Sequence, residues 1–217
     1  PVGLSEGAIM TLSLNEVEAT AKKATRGVGY PWGLAEEAGR ATRWLCARDM
    51  DGCDALAELL ARTDGADLQR WTPRCDAPVW TAEGGRLCPL ITGAALSDRA
   101  LELPDVRLAA LVQPMLLLPF VALMARQRET VLQVELPGAR ATTDGRALSV
   151  SGRFPVEIDE LAISPVDKLG RSQPDRRRFA PGSKALGLLN RFAYRTYAPA
   201  TDASRLSGAG AGLSDND

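Results

Sequence analysis

The chain reads as an α+β protein, with a layer of three helices first, a mainly antiparallel sheet enclosing a buried apolar helix next, and a C-terminal helix with a flexible tail last. Three observations predict this class. Apolar residues recur with the 3.6-residue period of a helix in the first third and again near residue 190. Between residues 130 and 163 the period drops to two, with turn dipeptides between the runs. The hydrophobic content of 45% is enough to bury a core.

Ser13-Leu-Asn-Glu16 is a capping box that starts the first helix, and Val17, Ala21, Ala24 and Val28 form its buried stripe. Glu18 and Lys22 stand four apart as an ion pair on the wet side. Gly27, Gly29 and Pro31 end this helix and open the next, whose stripe is Leu34, Ala38, Ala41 and Leu45. Asp51 is expected to cap a third helix that buries Leu56, Leu59 and Leu60 and ends near Asp64-Gly65.

From Trp71 to Pro89, prolines and Gly84-Gly85 predict a loop and then a hairpin-like segment around Val79, Trp80 and Thr81, with a weak helical signal over Leu90 to Leu101. The uncharged run from Leu108 to Ala125 is interrupted by Gln113, Pro114 and Pro119. A strand followed by a buried helix starting near Pro114 explains it better than a membrane span.

Thr130–Leu136, Arg146–Ser151 and Val156–Ile163 are read as alternating strands of an antiparallel meander, punctuated by Pro137-Gly138, Asp144-Gly145 and Gly152. Residues 164 to 182 read as a long loop. Ser183 to Tyr197 reads as a helix with Leu186, Leu189, Ala193 and Tyr197 on one face. Residues 1–205 are thus expected to form one domain, with a helical part at 11–65, a sheet-containing part at 77–165 and a helix at 183–197. Residues 206–217 are expected to be a flexible tail.

The chain contains no histidine. That excludes Ser-His-Asp triads, Cys-His dyads and histidine-based metal sites, and leaves carboxylates, Lys, Tyr, Cys or a cofactor for any chemistry. Cys46, Cys53, Cys75 and Cys88 include no C-x-x-C pair, and no zinc site is expected. No basic and apolar leader opens the sequence, so reduced thiols in the cytoplasm are the expectation. With 26 basic against 27 acidic residues, no global field favours nucleic acid or an anionic membrane.

One local anomaly stands out. Between Lys168 and Arg205 there are nine cations against Asp175 and Asp202. Guanidinium groups hold oxyanions in bidentate fashion, so Arg176, Arg177, Arg178, Arg195 and Arg205 are candidate anion ligands. Tyr30 and Trp32, in the glycine-flanked junction of the first two helices, are candidate pocket-lining residues. The tail residues Asp215, Asn216 and Asp217 offer oxygen ligands but no diagnostic spacing, so no metal site is assigned. Asp49 to Asp54 departs from a calcium loop, with its glycine in fourth place.

The opening LSLNEVEATAKKATRGVGYPWGLAEEAGRATRWLCAR and the closing RTYAPATDASRLSGAGAGLSDND resemble a bacterial family known only as a domain of unknown function. The resemblance implies a stand-alone unit and brings no activity, cofactor or catalytic residue. The first 55 residues also resemble the N-terminal helices of malate/lactate-type dehydrogenases. There the functional histidine precedes the glycine that Gly52 matches, and here Asp51 takes its place, so no activity carries over.

The expectation that results is an accessory or binding protein that recognises an anionic small molecule or partner surface through the Arg-rich segment. An enzyme acting without histidine on a carboxylated or phosphorylated metabolite is the alternative. A structural subunit whose Pro114–Met124 surface is covered by another chain is the third reading. The sequence leaves cofactor, oligomeric state and pathway open.

Overall fold

A computed structural model describes residues 10–197. The order is β1 (Leu12–Ser13), α1 (Leu14–Gly27), α2 (Trp32–Cys46), α3 (Gly52–Thr63), β2 (Val79–Trp80), α4 (Pro89–Asp98), β3 (Val106–Val112), α5 (Leu118–Gln127), β4 (Val131–Leu136), β5 (Ala139–Thr143), β6 (Leu148–Gly152), β7 (Glu157–Val166), β8 (Arg178–Phe179) and α6 (Ser183–Tyr194). Single 3-10 turns sit at Leu68–Trp71 and Pro114–Leu117. The fold is α+β, as the periodicities predict.

The capping box forms as read: the Ser13 hydroxyl accepts from the Glu16 N–H at 3.3 Å, and the Glu16 carboxylate accepts from the Ser13 N–H at 2.7 Å. Val17, Ala21 and Ala24 then point inward. The pair expected within α1 is replaced by two bridges to α2, Arg43–Glu18 at 2.8 Å and Lys22–Glu36 at 2.7 Å. Close packing of α1 on α2 puts these partners nearer than the next turn of the same helix. Asp51 does occupy the N-cap of α3, but its side chain makes no capping bond. On α6 the buried face is Ala185, Leu189, Phe192 and Ala193. Leu186 is half-buried and Tyr197 exposed, which rotates the face from the predicted one.

Six strands pair in the order β2-β3-β7-β4-β5-β6, and β1 pairs with β8 in a separate two-stranded ribbon. Only β2–β3 is parallel; the other pairs are antiparallel. Val79–Trp80 is therefore an edge strand, and the hairpin-like segment expected around it is reduced to one antiparallel bridge between Arg74 and Thr81. The meander holds for β4-β5-β6 and stops there, because β7 leaves β6 and inserts between β3 and β4. Gly138, at φ 79, makes the tight β4–β5 turn that a side chain would strain.

The alternation expected through Val156–Ile163 breaks. Ile158 is buried, and so are Leu161 and Ile163, which have the opposite phase. The facing strand β3 changes phase in step, with Val106 and Leu108 buried before Ala110 (φ 53) and Leu111 after it.

The uncharged run is β3 followed by the 3-10 turn and α5, and Leu116, Leu117, Leu118, Phe120, Val121 and Met124 are all in the core. Only Leu123 is well exposed there, so the broad apolar surface needed for a covered subunit face is not present. No helix among the described residues is long and apolar enough to cross a membrane. All four cysteines are free, and Cys46 and Cys53 lie in contact at 3.7 Å.

Three carboxylates tie the elements together in a pH-dependent way. A bidentate contact from Arg195 (2.6 and 2.9 Å) holds Asp64 below its ordinary pKa. Arg62, joined by Arg86, does the same for Glu157. The N–H groups of Ala147 and Arg146 depress Asp144. A depressed folded pKa gives stability that is complete above the unfolded value near about 4 and is lost as pH falls through the lower folded value. The denaturant midpoint is expected to fall between about pH 5 and about pH 2. Asp144→Asn should flatten part of that slope, and an unchanged profile would contradict the assignment.

Candidate functional site

A groove of about 590 Å³ runs between α2, the start of α1 and the extended segment before β8. α2 contributes Arg40, Arg43 and Trp44, and the turn after it contributes Arg48. Arg40, Trp44 and Arg48 are spaced four residues apart and share one face. Asp175, Arg176 and Arg177 form the opposite wall. Five arginines thus face two carboxylates, Glu18 and Asp175.

The arginines are not equivalent. Arg43 is paired with Glu18, and Arg40 with Glu36 and Glu37. Arg176 is anchored twice: its N–H donates to the Ala47 carbonyl at 2.6 Å, and its guanidinium meets Asp49 at 3.1 Å. Arg48 lies 3.7 Å over the Trp44 ring and donates to the carbonyls of Trp44 (3.0 Å) and Arg146 (2.7 Å). Burial lowers its pKa, opposed by nearby Asp175. An arginine so placed keeps its charge, and its fork is held in position by stacking and by carbonyls, not by a carboxylate. Arg177 is exposed and has no ion-pair partner among the described residues. Arg48 and Arg177 therefore make no carboxylate bridge among the described residues, although Asp175 lies near Arg48.

The structure scatters the other sequence candidates. Arg178 donates to the Thr11 hydroxyl (3.2 Å) and carbonyl (2.7 Å), fastening the β1–β8 ribbon. Arg195 is committed to Asp64 and lines a separate pocket of about 420 Å³ with Arg26 and Trp32. Arg205 and the tail acids Asp215 and Asp217 lie outside the described residues. Trp32 is exposed beside Arg26 and Lys22, whose charges lie 5.2 and 5.8 Å from its ring centre.

Tyr30 does not line a pocket. It is wholly buried, its hydroxyl 3.1 Å from the Thr63 hydroxyl and 3.4 Å from the Cys88 sulfur. The residues that sequence reasoning missed are Arg40, Trp44 and Arg48. Their four-residue spacing was readable, but the wall that faces them was not.

A separate, acidic recess of about 300 Å³ contains Asp51, Asp54, Glu58 and Gln113. Burial, then Asp51, raises the Asp54 pKa. Glu58 accepts from the Gln113 side chain at 2.6 Å. Among the described residues no group of three or more His, Cys, Asp or Glu side chains is arranged to hold a metal ion.

Residues 12–88 match the family model described as Protein of unknown function (DUF3726). The resemblance to a domain of unknown function is thereby borne out over α1 to α3 and the loop leading to Cys88. The matched region supplies the α1 and α2 side of the groove, whereas Asp175 to Arg177 lie beyond it. No curated protein matches the sequence. Among solved structures, the malate dehydrogenase from Pyrococcus horikoshii OT3 matches at a TM-score of 0.44 and 10% identity, over 73% of this chain and 53% of that one. The chain spans about half the length of that enzyme, and a likeness of that size transfers no activity.

Proposed function

We propose that the protein is a cytoplasmic, non-catalytic binding protein that holds an anionic small molecule or partner surface in the groove between α2 and residues 175–177. The observation that carries this reading is the pair Arg48 and Arg177. Both line one groove, and neither has a carboxylate bridge among the described residues. The Arg48 guanidinium, already held by Trp44 and two carbonyls, binds an oxyanion with little further ordering cost, and Arg177 adds a second charge across the groove. Arg43 and Arg176, held by Glu18 and Asp49, shape the walls.

Calorimetry with phosphate, sulfate and acetate tests the reading. Arg177→Ala removes one charged hydrogen-bonding partner, and a loss of about tenfold in affinity is expected. Arg177 is exposed, so the fold should survive. Lys184→Ala, on an exposed turn of α6 outside the groove, should bind as the parent does. Equal affinity in a folded Arg177→Ala protein would overturn the proposal.

A further inference from the structure

The arginine groove borders an apolar recess. A cavity of about 310 Å³ lies between α2 and α5, lined by Trp44, Pro119, Phe120, Ala122 and Leu123, with Arg40 and Arg126 at its rim. Arg40 and Trp44 line both this recess and the groove. The two spaces therefore share a wall, charged on one side and apolar on the other.

Leu123 is the one large apolar side chain of α5 left well exposed, at 40%, and it faces this recess. Leu116, Leu117, Leu118, Phe120, Val121 and Met124 on the same stretch are buried. An exposed leucine beside a half-buried tryptophan costs nothing unusual by itself. Placed at the mouth of a concave apolar surface whose rim carries two arginines, the pair fits a ligand with both characters.

Building on the anion-binding reading of the groove, we propose that the ligand is a single-chain amphiphile. Its oxyanion head, a carboxylate or phosphate, sits between Arg48 and Arg177, and its aliphatic chain passes Trp44 into the recess between α2 and α5. Charge complementarity sets the direction. The rim arginines Arg40 and Arg126 leave only Glu37 as a carboxylate in the recess, and Glu37 is paired with Arg40. A bare inorganic anion would occupy part of the groove and leave the recess wet. A cationic amphiphile would face five arginines. Trp44, stacked under Arg48, offers its ring at the point where head and chain join.

The test is calorimetry on the full chain with two homologous series, n-alkyl carboxylates and n-alkyl phosphates, kept below their aggregation limits, beside acetate and inorganic phosphate. Each methylene that enters the recess should tighten binding about threefold, until the recess is filled. Leu123→Gln, at an exposed position that the fold tolerates, should flatten the chain-length dependence and leave affinity for inorganic phosphate or acetate unchanged. Phe120 is a core residue and is left intact. Affinity that does not rise with chain length in either series, while the small anions still bind, overturns the amphiphile and leaves the anion groove standing. No binding by any member of either series overturns both. A chain-length dependence that persists in full in Leu123→Gln would place the chain elsewhere and overturn the proposed path.

Discussion

Gly27→Ala is expected to destabilise the protein by about 3 kcal/mol or more. Gly27 ends α1 where α1 meets α6, and a methyl group there would be driven onto the backbone carbonyl oxygen of Phe192, far inside van der Waals contact, with the Arg195 β-carbon also close. Backbone atoms cannot swing aside as a long side chain does. The Phe192 carbonyl is itself held, accepting from the Arg195 N–H at 3.1 Å. Relief requires α6 to back away from α1, which uncovers Leu189, Phe192 and Ala193 and loosens the Arg195–Asp64 pair at the end of α3.

Gly187→Ala is the matched control. Gly187 lies inside α6 and a methyl group there meets nothing within 4 Å, so the substitution should stabilise by about 0.5–1 kcal/mol through helix propensity. Urea denaturation followed by circular dichroism measures both variants. A Gly27→Ala cost no larger than that of an ordinary surface change would mean that α1 and α6 do not approach as described.

Features set by neighbours along the chain were legible in the sequence. The capping box at Ser13, the stripe of α1, the strand-to-helix break at Gln113-Pro114 and the turn at Pro137-Gly138 each rest on spacings of a few residues. What escaped was decided across space. β5 (ARATT) is buried at Ala139, Ala141, Thr142 and Thr143, so it shows no alternation to read. β1 and β8 are two residues each and exist through each other, although 167 positions separate Leu12 from its partner Phe179. The Arg-rich segment was visible as a run, but its members serve different neighbours: Arg176 meets Asp49, Arg178 meets Thr11, and Arg177 faces the groove. Charge density along a sequence does not show which charges are already answered. Arg40, Trp44 and Arg48 announced a helix face by their spacing, yet only the packing of residues 175–177 against it makes that face a groove.

Tyr30 is the case where a local pattern pointed the wrong way, and it gives the second large effect. Glycines on both sides made Tyr30 a candidate pocket-lining residue. In the fold Tyr30 enters the core beneath the α1–α2 turn, and its hydroxyl finds Thr63 at the end of α3 and Cys88 at the start of α4. Burial pushes both the phenol and the Cys88 thiol above their ordinary pKa values, so both stay neutral and serve as hydrogen-bonding groups, not as bases or nucleophiles. Tyr30→Ala leaves a cavity where three helices meet and is expected to cost about 3–5 kcal/mol. Tyr30→Phe keeps the ring and loses only the hydroxyl. Thr63 still donates to the Leu59 carbonyl at 3.1 Å, so no strong donor is stranded and the cost should be about 1 kcal/mol. Neither change touches the groove, and Tyr30→Phe should bind acetate and phosphate as the parent does. Chemical denaturation and calorimetry on the same samples separate the two roles. A weakened anion affinity in a stable Tyr30→Phe protein would return Tyr30 to the binding site, whereas a large loss of stability for Tyr30→Ala with binding intact in Tyr30→Phe fixes it as the anchor of the helical layer.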